Sequence, residues 1–410
     1  MTLSLAWPVM AADIPADMTR DMSMPGLQGD YSMNRDASGT SWQPDATPID
    51  GVMIMNGEWM TMLHGYAVQV YDHQGGPRGA DKNFSESMFM AMASRPLGDG
   101  TFGVRAMASL DPAMGKTGYP LLLQTGETAD GVEHLVDRQH PHDLFMELAA
   151  IYSHPLTDDS SGFLYVGYPG EPALGPPAFM HRASGMDIPE APITHHWLDS
   201  THVTFGVITL GYVRYDWKIE ASAFNGREPD QFRWNFDQAR LDSFSARLTW
   251  NPATDWSIQL SRGNLHSPEA LDPGLKQTRT TASASYSLPL PEQSNWATTL
   301  AWGQDANQPG NRLDGFLLES EFSINDRHTL FIRAESSQND ELLAQGSKFS
   351  GQVFNVKKLS AGYIHDWLVS EHVKIGLGGL RSVYDFPAVI DSAYGAHPDS
   401  WMLFARLKLY

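Results

Sequence analysis

Residues 137–155 read DRQHPHDLFMELAAIYSHP, and this stretch contains the pattern that decides the fold. From Leu144 onward the side chains alternate with period two, which is the repeat of a β-strand. Glu147 and Ser153 fall in one row, and the other row is Leu144, Met146, Leu148, Ala150 and Tyr152. A strand with an apolar face and a glutamate on the opposite face separates two different solvents, as a strand that crosses a membrane does.

The composition restricts the class of protein. The chain has 410 residues, of which 42% are hydrophobic and 19% are charged, and no apolar run approaches the roughly 18 residues of a transmembrane helix. It contains no cysteine, which fits an oxidising compartment and excludes thiolate metal sites and cysteine catalysis. The net charge of −20 argues against a nucleic-acid partner and suits a surface that meets cations.

The N-terminal part of the chain differs from the rest. Leu3 to Ala12 has the apolar run and small-x-small site of a signal peptide, so we predict a signal-peptide remnant at residues 1–12. Residues 13–57 lack periodicity and predict a Met-rich flexible tail, and residues 58–410 predict the barrel. The thioethers of the tail are potential Cu(I) ligands, or chance methionines of a flexible segment: Met18, Met22, Met24 and Met33.

Period-two segments recur in about sixteen places after Trp59, and their connections alternate between short turns and long loops. This alternation predicts an all-β protein: a closed antiparallel outer-membrane β-barrel of about sixteen strands, with long extracellular loops that partly plug the lumen. Such a barrel lies in the outer membrane of a Gram-negative cell, and both of its termini are then on the periplasmic side. Aromatic residues beside the short turns predict an interfacial girdle: Tyr212, Tyr215, Trp217, Trp250, Trp256, Trp296 and Trp367.

Two long loops concentrate histidines and aspartates. The first contains His140, His142 and Asp143, and the second contains four further candidates: His195, His196, Asp199 and His202. Neutral imidazole with a carboxylate suits zinc or copper, so we predict that the two loops converge over the lumen and bind such a metal. Binding is then expected to fade as the pH drops through about 6.5. Solvated or hydrogen-bonded loop histidines are the alternative.

Arginines and methionines carry weaker signals. The loop arginines suggest ion pairs that pin the loops into the lumen as a plug. In the strand after Lys82, Phe89 is predicted to face lipid. Because successive residues of a strand point to opposite faces, Met88, Met90 and Met92 are then predicted to face the lumen. These thioethers predict either a Cu(I) pathway or adaptable filling beneath the plug.

Six motifs resemble those of a family of uncharacterised exported Gram-negative proteins. They are GPRGADK at 76–82, QHPHD at 139–143, HRAS at 181–184, HHWLDSTH at 195–202, GREPD at 226–230 and SPEA at 267–270. The resemblance covers nearly all of the chain after Trp59. It implies an outer-membrane barrel and a link to copper or other metal handling.

These observations favour a porin-like outer-membrane channel that passes or binds a small cation or metal chelate through its His/Asp-rich loops. The partners that surround the barrel are then outer-membrane lipid and lipopolysaccharide. One alternative is an outer-membrane hydrolase with a rim histidine as general base beside Ser184, Ser200 or Thr201. The other is a structural or adhesive barrel. The sequence leaves the solute and the oligomeric state open.

Overall fold

The computed structural model describes residues 24–343 and 346–410. The predicted signal-peptide remnant and the tail methionines Met18 and Met22 lie outside the described residues. The strands are β1 Val52–Asn56, β2 Trp59–Gln74, β3 Asp81–Leu97, β4 Gly100–Ala108, β5 Tyr119–Thr128, β6 His134–Gln139, β7 Phe145–Thr157, β8 Ser160–Gly167, β9 Val207–Arg214, β10 Trp217–Phe224, β11 Ser243–Ala253, β12 Trp256–His266, β13 Lys276–Leu290, β14 Ser294–Gln308, β15 Arg312–Ile324, β16 His328–Asn339, β17 Phe354–Ser370, β18 Val373–Asp385 and β19 Ser400–Leu409.

The described helices are short. Two are α-helical, α1 His195–Leu198 and α2 Asp391–Tyr394. Five are 3-10 turns: Met33–Arg35, Asp111–Met114, Phe179–His181, Ser200–His202 and Ala388–Ile390. Within residues 24–343 and 346–410, none of the helices has the length and apolar character needed to cross a membrane.

The sheet closes on itself. Strands β2 to β4 and β7 to β19 pair antiparallel with their neighbours, and β19 returns to β2 with Ser400 opposite Gln74 and Leu409 opposite Gly65. The result is a closed barrel of sixteen strands, as the sequence predicted. Beyond the end of β19, the short strand β1 forms a hairpin with the first residues of β2.

The wall has an apolar outer face and a polar inner face. In β10 the outward Trp217 and Ile219 are 47% and 57% exposed, whereas the inward Lys218 and Glu220 are buried. The seven aromatic residues predicted as a girdle are all exposed on the outer surface near the short turns. A belt of exposed aliphatic side chains bounded by aromatics is the surface that a barrel presents to lipid.

The lumen is filled by loops and by the N-terminal segment. Residues 24–49, predicted to belong to a flexible tail, lie inside the barrel: Trp42 is buried and Arg35 binds Asp45 at 2.6 Å and Asp216 at 3.1 Å. The loop between β4 and β7 forms the hairpin β5–β6 in the lumen, where the Tyr119 ring stacks on Phe84 of the wall at 4.4 Å. A polar segment without periodicity is thus ordered by lumen partners that its own sequence does not reveal.

The prediction that Met146 lies on the apolar outer face of its strand was wrong. A β-bulge opposite Met107 and Ala108 turns Met146 into the lumen, where it is fully buried. A bulge inserts one residue, and one extra residue exchanges the two faces of a strand.

Ion pairs hold the second histidine loop, residues 168–206, in the lumen. Arg182 is buried and binds Asp199 at 2.6 Å and Glu319 of the wall at 2.6 Å. Glu319 also accepts from Arg333 of β16 at 3.1 Å. The prediction that arginine–carboxylate pairs pin the loops is confirmed here.

Candidate metal site in the loops

The two histidine loops meet inside the lumen. Ring centroids are 6.0 Å apart for His140 and His196, 5.5 Å for His196 and His195, 5.2 Å for His195 and His202, and 5.3 Å for His202 and His142. All five histidines predicted as ligands therefore lie in one connected group. The hairpin β5–β6 delivers His140 and His142, while α1 and the following 3-10 turn deliver the other three.

A ligand-like cluster forms at one end of this group. His140, His196 and Glu228 each place a potential ligand atom within 4.8 Å of those of the other two. The Nδ1 atom of His196 lies 3.3 Å from Glu228 Oε1, and His140 Nε2 lies 3.8 Å from Glu228 Oε2. Gly126 in β5 backs the cluster, where any side-chain carbon would collide with the His196 ring.

The other histidines are held by acceptors in the loops. His195 Nδ1 lies 2.8 Å from Asp199 Oδ1, and His142 Nδ1 lies 2.8 Å from Asp111 Oδ2. His202 Nδ1 lies 2.8 Å from the carbonyl oxygen of Asp199. These contacts fix the orientation of each ring, as an outer-shell hydrogen bond fixes a metal-binding imidazole.

Two carboxylates near the group have other partners. Asp143, predicted as a ligand or outer-shell group, accepts from Arg233 at 2.9 Å. Glu147, on the lumen wall as predicted, accepts from the Tyr165 hydroxyl at 2.7 Å. Asp199 is shared between His195 and Arg182. Of the three predicted acidic groups, only Asp199 contacts an imidazole through a described hydrogen bond.

A second cluster, made of one histidine and three carboxylates, lies close to the first. His134 Nδ1 is 3.3 Å from Glu269 and its Nε2 is 3.6 Å from Asp272, with Glu341 also within ligand distance. A cavity of about 50 Å³ is lined by His196 and Glu228 together with Glu269 and Glu341. Sequence reasoning missed these carboxylates. Glu269 and Asp272 share one loop, but Glu228 and Glu341 lie in two other loops, and no spacing in the chain relates the three loops.

Burial and ion pairing shift the pKa values of the two imidazoles in the first cluster in opposite directions. Burial, together with the charge of Arg233, holds the pKa of His140 well below its ordinary value. Burial also acts to lower the pKa of His196, but the charge and hydrogen bond of Glu228 outweigh it and raise this pKa to about 9. Burial likewise acts to raise the pKa of Glu228, and its pairing with His196 overcomes this and lowers it. One imidazole is neutral and the other forms an ion pair at neutral pH.

The serines considered as nucleophiles have other partners. The Ser184 hydroxyl lies 2.7 Å from the Thr299 hydroxyl and 3.0 Å from a carboxylate oxygen of Glu319, and Ser200 accepts from Arg279 at 2.8 Å. The hydroxyl of Thr201 is buried without a hydrogen-bond partner among the described residues. The contacts of these hydroxyls therefore give the hydrolase alternative no serine–histidine pair.

The architecture defines the class of this protein as a Gram-negative outer-membrane β-barrel. The structure is similar to Salmonella typhi OmpF in complex with daunomycin, with 12% sequence identity, a TM-score of 0.50, and coverage of 87% of this chain and 100% of that chain. It is also similar to the anion-selective porin from Comamonas acidovorans, with 9% identity, a TM-score of 0.51, and coverage of 86% and 100%. No protein-family model and no curated protein matches the sequence. At these identities the likeness establishes the fold alone.

Proposed function

We propose that this protein is a porin-like outer-membrane channel whose loops bind a divalent transition-metal cation, zinc or copper, or a small chelate of it. The binding residues are His140, His196 and Glu228, with the other predicted residues His142, Asp143, His195, Asp199 and His202 around them. Outer-membrane lipid and lipopolysaccharide are the surroundings that this role requires, and the metal ion or chelate is the solute.

The observation that carries the proposal is a pair of unsatisfied ring nitrogens. The Nε2 atoms of His140 and His196 are buried and have no hydrogen-bond partner in the described part of the chain. Buried polar atoms in native structures are almost always satisfied by protein, by ordered water or by a bound species, and here the two nitrogens lie beside a carboxylate. Two imidazoles and a carboxylate are a donor set for zinc or Cu(II), with nitrogen-to-metal distances of about 2.0–2.1 Å.

The filled lumen bears on how such a channel works. A barrel of about sixteen strands is wide enough to enclose an aqueous channel. Here nearly every residue of 169–207 is buried, and the four that are partly exposed are His181, Ala183, Met186 and His196. Each of these four lines a cavity. We therefore place the metal in a loop-enclosed compartment, and passage through the barrel requires the loops to move.

Zinc titration of the refolded barrel tests the binding site. Isothermal titration calorimetry in detergent is expected to show one high-affinity Zn(II) ion for the wild type and loss of that ion in His140→Ala. The matched control is His266→Ala, since His266 is an exposed histidine at the end of β12, 3.9 Å from Asp242 and outside the cluster. Equal zinc binding by wild type and His140→Ala contradicts the site.

Planar-bilayer recording tests the channel. A conductance that Zn(II) reduces in the wild type, but not in His140→Ala, is expected if the metal sits at the loop constriction. A folded barrel that binds zinc yet carries no current under any condition contradicts passage of the ion and favours a binding or adhesive barrel.

A further inference from the structure

We propose that a second cavity, on the turn side of the lumen, binds a soft monovalent d¹⁰ cation such as Cu(I) or Ag(I). Its donors are the thioethers of Met90 and Met107 and the imidazoles of His64 and His181. This site is separate from the loop cluster and does not depend on the function proposed above.

The strand register assembles three of the four donors. His64 of β2 lies opposite Met90 of β3, and Met90 lies opposite Met107 of β4. Directly opposed residues on adjacent strands project from the same face of the sheet, with Cβ atoms about 4.5–5.5 Å apart. Met90 and Met107 are buried, so this face is the lumen side of the wall.

The fourth donor comes from the loop that also builds the zinc cluster. His181 ends the 3-10 turn Phe179–His181, and its Nε2 lies 3.4 Å from the sulfur of Met107. Its ring centroid is 6.1 Å from that of His64. Bonds of about 2.0 Å to nitrogen and 2.3 Å to sulfur at a tetrahedral angle would place two such donor atoms roughly 3.5 Å apart. The observed separation therefore matches that of two ligands on one ion.

Three of the four donors, His64, Met90 and His181, line the cavity, and Met107 adjoins it through its contact with His181. The cavity has a volume of about 110 Å³, and six of the nineteen methionines line it: Met33, Met62, Met88, Met90, Met92 and Met186. Met90 and Met107 belong, like Met146, to the hydrophobic core of the lumen, but Met90 also borders this open volume and Met146 does not. The core therefore ends at this cavity in a surface of thioethers beside two imidazoles, and these donor atoms are available to a ligand in the open volume.

The charges around the cavity favour a soft monovalent ion over a hard dication. Its two carboxylates are engaged: Asp50 binds Lys408 at 2.8 Å, and Asp36 accepts from the Leu27 amide and the Tyr31 hydroxyl at 2.7 Å. Arg105, next to Met107 on β4, adds a positive charge nearby. Neutral thioether and imidazole donors without a free carboxylate suit Cu(I) and its congeners, since soft ligands select soft ions.

Ag(I) is the probe for this site because it has the same softness and does not change oxidation state in air. We expect equilibrium dialysis of the refolded barrel in chloride-free buffer to show one tightly bound Ag(I). The double variant Met90→Leu/Met107→Leu should bind it at least about tenfold more weakly. Leucine preserves the volume of methionine, so the barrel should still fold and show its heat-modifiable band on gels.

The matched control is Met402→Leu. Met402 is equally buried on the lumen side of β19, but it lies opposite Asp72, outside the cavity. This variant should retain the wild-type affinity for Ag(I). X-ray absorption of the Cu(I) form should show sulfur neighbours at about 2.3 Å that diminish in the double variant.

Two results would overturn the proposal: a wild-type barrel that takes up no Ag(I), or a double variant that binds it as tightly as the wild type. The outcome is separable from that of the zinc experiment, because zinc is titrated against the loop histidines and silver against the methionines. Failure of either leaves the other standing.

Discussion

Two cavities in one lumen differ in the chemistry of their donors. The loop-side cavity is lined by carboxylates, among them Glu228 and Glu341, and by the imidazole of His196, which pairs with Glu228. The turn-side cavity is lined by thioethers and by His64 and His181. Charged oxygen and nitrogen donors favour divalent ions, and neutral sulfur donors favour soft monovalent ions. The barrel thus segregates two classes of ligand along its axis.

One loop connects the two regions. His181 faces the turn-side cavity and His196 faces the loop-side cavity, and almost everything between them is buried. Arg182 follows His181 directly and binds Asp199, which in turn orients His195. The position of this loop therefore controls both cavities, and the largest effect is expected where the loop is fastened to the wall.

Replacing Arg182 by methionine should damage both regions at once. The change leaves Asp199 without its guanidinium partner and Glu319 with Arg333 as its one remaining ion-pair partner among the described residues, all in buried surroundings. Removing one partner of a buried ion pair typically costs on the order of 3–5 kcal/mol. We expect a separate early transition in guanidinium unfolding, as the loop leaves the lumen, and weaker binding of both Zn(II) and Ag(I).

The control for this variant is Arg214→Met. Arg214, the exposed last residue of β9, binds Asp159 at 3.0 Å, so its removal should leave unfolding and both affinities unchanged. An Arg182→Met barrel that unfolds in one wild-type transition and binds both ions normally would show that the loop is held by other contacts.

Single changes in each cavity should separate the two regions. Glu228→Gln removes a charged donor from the loop-side cluster and should weaken Zn(II) roughly 100-fold, with Ag(I) binding unchanged. Met90→Leu should weaken Ag(I) and leave Zn(II) unchanged. Calorimetry and dialysis on the two variants check this crossed pattern. If either variant weakens both ions, the cavities are coupled and the comparison drawn here is wrong.

The sequence predicted the barrel because the wall obeys a local rule. Each strand meets lipid on one face and the lumen on the other, so period-two patterning and turn spacing are sufficient. The convergence of the histidines was also predictable, since His140 and His196 lie on two long loops at the same barrel end. Glu228 was not, because the contact that makes it a ligand candidate joins distant parts of the chain.

The interior was less predictable than the wall. In β5 all ten residues are buried, so no alternation of polar and apolar side chains marks the strand. The segment after Met24 has a composition typical of disorder, yet Arg35 and Trp42 are buried among lumen partners. The methionines of β3 were predicted to face inward, but the cavity beside them depends on His181, which is far away in sequence.

The pH dependence of binding gives the smallest and most specific contrast between the two regions. The pKa of His196 is raised to about 9 by Glu228, so this imidazole holds a proton at neutral pH that Zn(II) must displace. Zinc affinity should therefore fall as the pH drops below about 9, by about tenfold between pH 8 and pH 7, and not only below the value of 6.5 expected for ordinary histidines. Thioethers do not titrate, and burial lowers the pKa of His181 to about 3, so Ag(I) affinity should be flat over the same range.

In Glu228→Gln the residual zinc affinity should lose most of its slope between pH 7 and pH 8, because His196 no longer has the carboxylate that retains its proton. Titrations in buffers of different ionisation enthalpy measure the protons released per zinc, with about one expected for the wild type at pH 7.5. Release of none would mean that His196 is neutral before zinc arrives and that its pairing with Glu228 does not set the affinity.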